Sequence, residues 1–159
     1  MKIKEVDELI SQCTGYLDKT DGRGDLIESY LNQFLVVKMY RAFEEQIREI
    51  VVKRAEKSGD SEMVSYVRAN HKHFRGIFTA DIQDQILKKF SQTCSDEFQR
   101  KVAKDNIGQS FNSIISNRHN IVHSGGPIYA TFNETIDAYN KGHKVLDILT
   151  EVFGLKGMI

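Results

Sequence analysis

A chain of 159 residues, 40% hydrophobic and 28% charged, has the makeup of one globular domain that can bury a core without disulfides or a structural metal. Its 22 basic and 22 acidic side chains cancel, which excludes a general nucleic-acid-coating protein while leaving room for a local basic cleft. No apolar run approaches the roughly 20 residues that span a bilayer. The start MKIKEVDELI lacks a signal-peptide core, and Cys13 and Cys94 share no metal-ligand spacing, so free thiols and a cytoplasmic location are expected.

The single proline, Pro127, leaves long stretches free for helix, and no run alternates as a strand does. Ile3, Val6, Ile10, Cys13 and Leu17 recur at three- and four-residue steps and predict a helix from about Lys2 to Asp18. The Lys19 to Asp25 stretch breaks it as a solvated turn. It contains Arg23-Gly24-Asp25, which has no adhesion meaning in a chain without a secretion signal. A long helix follows from about Asp25 to Lys57, with a stripe through Ile27, Leu31, Leu35, Met39, Phe43, Ile47 and Ile50. Phe34, Val36 and Val37 widen that stripe, as expected of a helix central to a bundle or of one carrying a dimer face.

Ser58-Gly59-Asp60 ends the long helix, and a shorter one runs from Ser61 to about Lys72. After a break at Gly76 to Thr79, a short helix spans roughly Ala80 to Phe90. Further helices run from Asp96 to about Lys104 and from Asn106 to His123, where Ser124-Gly125-Gly126-Pro127 is a firm stop. The last helix opens with the capping box Thr131-x-x-Glu134 and carries its stripe to Phe153. The expected fold is all-α: a compact bundle of about five to seven helices with long core helices, in one domain over residues 1–159.

The chemistry concentrates on the helix ending at His123. Ile107, Phe111, Ile114, Ile115, Ile121 and Val122 define its apolar face, and at about 100° per residue Arg118 falls at the centre of that face. A cation there is costly unless it meets an internal carboxylate, lies at an interface or lines a cleft for an anion. His119, Asn120 and His123 follow directly, and the C-terminal end of a helix favours an imidazolium. A histidine able to move a proton beside a permanently charged arginine suits phosphodiester cleavage: the first handles the 2′-hydroxyl or leaving oxygen, the second the charge of the transition state. Five residues on an ideal helix turn through about 140° beyond a full circle, so a frayed end or a second subunit is needed to bring Arg118 and His123 together.

This segment, Asn117-Arg118-His119-Asn120-Ile121-Val122-His123 before Ser124-Gly125-Gly126, resembles the Arg-x(4–6)-His motif of the HEPN superfamily. With the long helix carrying Phe43-Glu44-Glu45-Gln46-Ile47, it looks most like the RiboL-PSP-type branch, over roughly Leu26 to Phe153. The resemblance implies a metal-independent endoribonuclease needing no cofactor, of the kind found among microbial toxins and antiviral effectors, with a composite site in a homodimer. It implies Arg118 on the scissile phosphate, His123 as acid or base, His119 in the polar position after the arginine and Asn120 orienting substrate. RNA, a second copy, and an antitoxin or defence-system protein are the implied partners. A catalytically silent module that binds RNA, a nucleotide or a partner protein is the alternative.

Arg68-Ala69-Asn70-His71-Lys72-His73 has the same spacing, so the context of the later copy selects it. His71 and His73 diverge on a helix and lack other ligands. With Lys72 and Arg75 they read as a basic patch able to guide RNA rather than a metal site. His143, on the last apolar stripe, reads as a hydrogen-bonded core histidine. The six tyrosines are scattered and form no base-stacking platform.

Overall fold

The computed structural model describes residues 3–71, 76–125 and 128–157. Helix α1 spans Lys4–Thr20 and closes on Asp21, whose φ of 52° lies in the left-handed region. Helix α2, Leu26–Glu56, is 31 residues long, about 46 Å of axis. Asp25 caps it by accepting from Leu26 N at 3.0 Å. Helix α3 is Ser61–His71, with Asp60 Oδ1 accepting from Glu62 N and Met63 N. Residues 79–90 form α4, whose centre, Ile82–Leu87, is π-helical. Helix α5 is Gln92–Val102, and α6 runs through Ile107–His119 into a π-helical end, Asn120–Ser124. Helix α7 comprises Phe132–Gly142 and Lys144–Val152, joined at His143. The all-α expectation therefore holds, with seven helices and no strand among the described residues.

Helix α2 is the axle of the bundle and packs against α1, α3, α6 and both parts of α7. Leu35, Met39, Phe43, Ile47 and Ile50 are fully buried along it, each stabilising the fold by about 1.5–3 kcal/mol. Phe43 packs on Phe111 of α6 (4.8 Å between centroids) and on Tyr139 of α7 (5.9 Å). The Tyr139 hydroxyl accepts from Ile3 N at 3.0 Å and donates to Ile3 O, pinning the start of α1, and burial pushes its pKa up to about 12. Helices α6 and α7 touch backbone to backbone at Gly142, where a Cβ would stand 2.9 Å from Phe111 Cα and N.

The widened stripe of α2 divides. Val36 is buried, whereas Phe34 and Val37 face outward with Leu26, Ile27 and Tyr30. The turn before α2 is solvated as expected, and within it Arg23 pairs with Asp18 at 2.8 Å and lies over the Phe132 ring. Cys13 and Cys94 are free thiols, buried and half-buried. His143 is buried, its Nδ1 lying 3.1 Å from Tyr139 O, as expected of a core histidine. Among the described residues, no helix is long and apolar enough to cross a membrane.

Candidate active site at the end of α6

Helix α6 reaches Arg118 with an apolar face that is already committed to the core. Phe111, Ile114 and Ile115 are buried, and Asn117 one residue before the arginine is buried as well. Arg118 is half-buried on the flank of α2, its guanidinium carbon 4.5 Å from the centroid of the Tyr40 ring. No carboxylate pairs with it: among the described residues Arg118 makes neither an ion pair nor a hydrogen bond. Of the three outcomes the sequence left open, the internal salt bridge is thereby removed. A cation over an aromatic face keeps its N–H donors unspent, and a guanidinium carries five.

Tyr40 begins a ladder along α2 with Glu44 and Arg48, each one turn further on. Glu44 accepts from Arg48 at 2.9 Å. The charges of Glu44, Arg48, Arg118 and Asp81 all reach the Tyr40 hydroxyl, whose pKa is raised chiefly by burial. Asp81, at the start of α4, accepts from Phe78 N at 3.1 Å and from Gln85 at 3.2 Å. Gly76, at φ +82°, admits that carboxylate to a place where a Cβ would clash with it.

The histidines are held by a different set of contacts. Phe78 stacks on His119 at 5.7 Å with planes 8° apart, and His119 stacks in turn on the exposed His123 at 5.4 Å. A two-way clamp presents Phe78: Thr79 N donates to Asn112 Oδ1, and Asn112 Nδ2 donates to Thr79 Oγ1, both at 3.0 Å. His119 Nδ1 is buried with no partner among the described residues. Burial, then the positive charges of Arg118 and His123, pull the His119 pKa below the usual range, and Asp81 only partly offsets them. His119 thus sits between two other rings in surroundings that disfavour its cation.

The π turn changes the geometry expected of an ideal helix. Gly125 N donates to Asn120 O, an i→i+5 bond, and the turn ends with Gly125 left-handed at φ 55°. A turn closing at i+5 rotates less per residue than an α turn, so it swings His123 back toward the side of Arg118. Asn120, half-buried, supplies the carbonyl that closes the turn. One chain still shows no direct Arg118–His123 contact.

The other copy of the spacing is differently placed. Arg68 is spent on Glu56 at 2.7 Å, and Lys72, His73 and Arg75 lie outside the described residues. Sequence reasoning missed Tyr40, Phe78 and Asp81. Phe78 and Asp81 lie at and just after a stretch read as a break, and Tyr40 stands one residue off the α2 stripe.

A helical bundle whose late helix ends in an arginine and a histidine, before a turn and a final helix, is the class of protein these features define. The RiboL-PSP-HEPN family profile matches residues 2–154, and the chain belongs to that family. The match reaches beyond the Leu26 to Phe153 likeness of the sequence and takes in α1, which Tyr139 ties to the bundle. Comparison with curated proteins and with solved structures yields no match.

Proposed function

We propose that this protein is a metal-independent endoribonuclease of HEPN type, acting in the cytoplasm as a toxin or antiviral effector. The observation that carries the reading is Arg118: a half-buried guanidinium set on an aromatic face with every donor unspent among the described residues. Such a group is arranged for an anion, and a phosphodiester near a histidine is the anion that fits. His123 removes the 2′-hydroxyl proton, the 2′-oxygen attacks phosphorus, and the bond to the 5′-oxygen breaks as that oxygen is protonated. Arg118 stabilises the extra negative charge on the phosphoryl oxygens. The products are a 2′,3′-cyclic phosphate and a 5′-hydroxyl, with no water or metal consumed.

His123 hands the proton it takes to the leaving 5′-oxygen, and Arg118 of one copy meets His123 of the other in a homodimer. The outward apolar residues of α2 support the pairing: Tyr30 is 60% exposed, Phe34 44% and Val37 39%, on the helix that also carries Tyr40. Asn120 holds the turn on which His123 rides and lies beside the substrate path.

The test is cutting of RNA in EDTA, with ends read as cyclic phosphates. Arg118→Ala and His123→Ala should each be inactive and folded. If Arg118 of one copy works with His123 of the other, mixing the two variants creates one intact site per heterodimer. About a quarter of the wild-type sites then return at random pairing. No recovery places the site within one chain, and full activity of His123→Ala overturns the mechanism. The second reading, a silent module that binds RNA or a protein, draws on the absence of an Arg118–His123 contact in one chain. It predicts binding without cleavage.

A further inference from the structure

At the N-terminal end of α2 an open cavity of about 310 Å³ lies between the first turns of that helix and the 128–132 segment. Asp25, Glu28, Ser29, Asn32, Tyr129 and Phe132 line it. Its loop wall is fixed in advance. Asn32 Nδ2 donates to Ala130 O at 2.8 Å, Tyr129 N donates to Asn117 Oδ1 at 3.3 Å, and Thr131 N donates to Glu134 Oε2 at 2.8 Å. Asn117 immediately precedes Arg118, so this wall is clamped to the candidate active site.

The chemistry of the cavity is one-sided. Asn32 is only 4% exposed, yet its Oδ1 has no donor among the described residues. A buried acceptor left without a hydrogen bond is unfavourable, and a ligand that supplies one relieves it. Asp25 spends Oδ1 on Leu26 N and keeps its other oxygen unpaired among the described residues. Glu28 sits 3.8 Å from Arg23, which offsets part of its charge. The wall therefore accepts hydrogen bonds, and its carboxylates repel phosphate. At the rim the Tyr129 ring is 82% exposed, a free aromatic face of the kind on which a base stacks.

We propose that this cavity is a nucleobase subsite selecting bases that carry an exocyclic amino group, adenine, cytosine or guanine, over uracil. The amino group donates to Asn32 Oδ1 and the Asp25 carboxylate, while Tyr129 covers the ring. Asn32 and Tyr40 are eight residues apart on one helix, about 12 Å of axis, so a nucleotide near the phosphate held by Arg118 reaches it. The inference rests on the ribonuclease reading for the strand that delivers the base, but not for the binding itself.

The experiment uses uncleavable all-deoxy tetramers of adenine, cytosine or uracil, titrated into the full chain and followed by NMR at Tyr129 and Ala130. Adenine and cytosine tetramers should bind roughly tenfold tighter than the uracil tetramer, the worth of one or two good base contacts. Tyr129→Ala, at an exposed position, should weaken all three without moving the melting temperature. Asp25→Ser keeps an N-cap while removing the carboxylate, and should narrow the preference. Equal affinity for the three tetramers overturns the proposal, as does saturation of the same signals by agmatine without any base preference, which makes the cavity a cation site. Base-selective binding by a protein that never cuts RNA sinks the ribonuclease reading and leaves the subsite standing. Cutting without selective binding does the reverse.

Discussion

Replacing Arg118 by methionine separates a structural arginine from a functional one. Methionine keeps an unbranched apolar stem over Tyr40 and deletes the charge. Breaking a buried ion pair costs about 3–5 kcal/mol because a buried partner charge is stranded. Arg118 has no such partner among the described residues, and the contact it does make is the 4.5 Å approach to the Tyr40 ring. A cation over an aromatic ring contributes about 0.5–1 kcal/mol when exposed and about 2 when desolvated, so for this half-buried group the loss should be near 1 kcal/mol. For a domain of this size that moves the melting midpoint by roughly 2–4 °C. On the proposed mechanism the transition-state charge, by contrast, loses its stabiliser, and single-turnover cleavage of RNA in EDTA should fall on the order of 100- to 1000-fold. Urea unfolding and cleavage measured on the same preparation decide the matter. A loss of 3 kcal/mol or more by the scale of buried pairs, or a variant that cuts RNA at the wild-type rate, refutes the reasoning.

Tyr40→Phe keeps the ring under Arg118 and should preserve cleavage, whereas Tyr40→Leu should slow it about fivefold, the equivalent of about 1 kcal/mol of lost positioning; equal damage from both would mean that the hydroxyl, not the ring, matters. Burial, with Arg118 beside it, lowers the His119 pKa. Because its folded pKa lies below the unfolded value, the unfolded chain takes up the proton more readily, and stability present above about pH 6.5 is lost as pH falls. Urea midpoints at pH 7.5 and 5.5 should therefore differ more in the wild type than in His119→Gln, and identical pH slopes would remove His119 from the account. Gly142→Ala drives a Cβ to 2.9 Å from the Phe111 backbone, which cannot rotate away, so it should cost about 1–3 kcal/mol by calorimetry. An unchanged midpoint there would show that α6 and α7 are free to separate.

What the sequence revealed and what it concealed divide along a physical line. Apolar spacing is written into the chain, so α2, its central place and the face of α6 follow from the stripes through Phe43 and Phe111. The capping box at Thr131 is equally local: Glu134 N donates to Thr131 Oγ1 at 3.2 Å, and Thr131 N donates back to Glu134 at 2.8 Å. The π turn after His119 is not written that way, because it uses the same residue types and similar backbone angles as the α turn before it. Tyr40 was illegible for another reason. Its role depends on which residue of α2 meets α6, and that is fixed by how two stripes pack rather than by either stripe alone. The bend of α7 at His143 had a visible cue in Gly142, yet only the close approach to Phe111 explains why a glycine stands there.

The apolar face around Arg118 was the strongest signal for a buried cation, and it also explains why the site stands at a helix end. An arginine in the middle of α6 would be sealed against α2 with its donors unsatisfied, an expensive arrangement. One turn from the C-terminus, the same residue lays its guanidinium on Tyr40 and keeps it half-exposed, as the proposed anion site requires. The π turn that follows does the complementary work for histidine. It stacks His123 on His119 while leaving it exposed, and it is supported from behind by Phe78, which Asn112 clamps from two turns earlier in the same helix. Two requirements that conflict within a regular helix, an anchored arginine and an accessible histidine, are thus met by ending the α turn between them. The remaining angular separation is what a second copy of the same helix end would close, and that is why the pairing of copies and the cutting of RNA should stand or fall together.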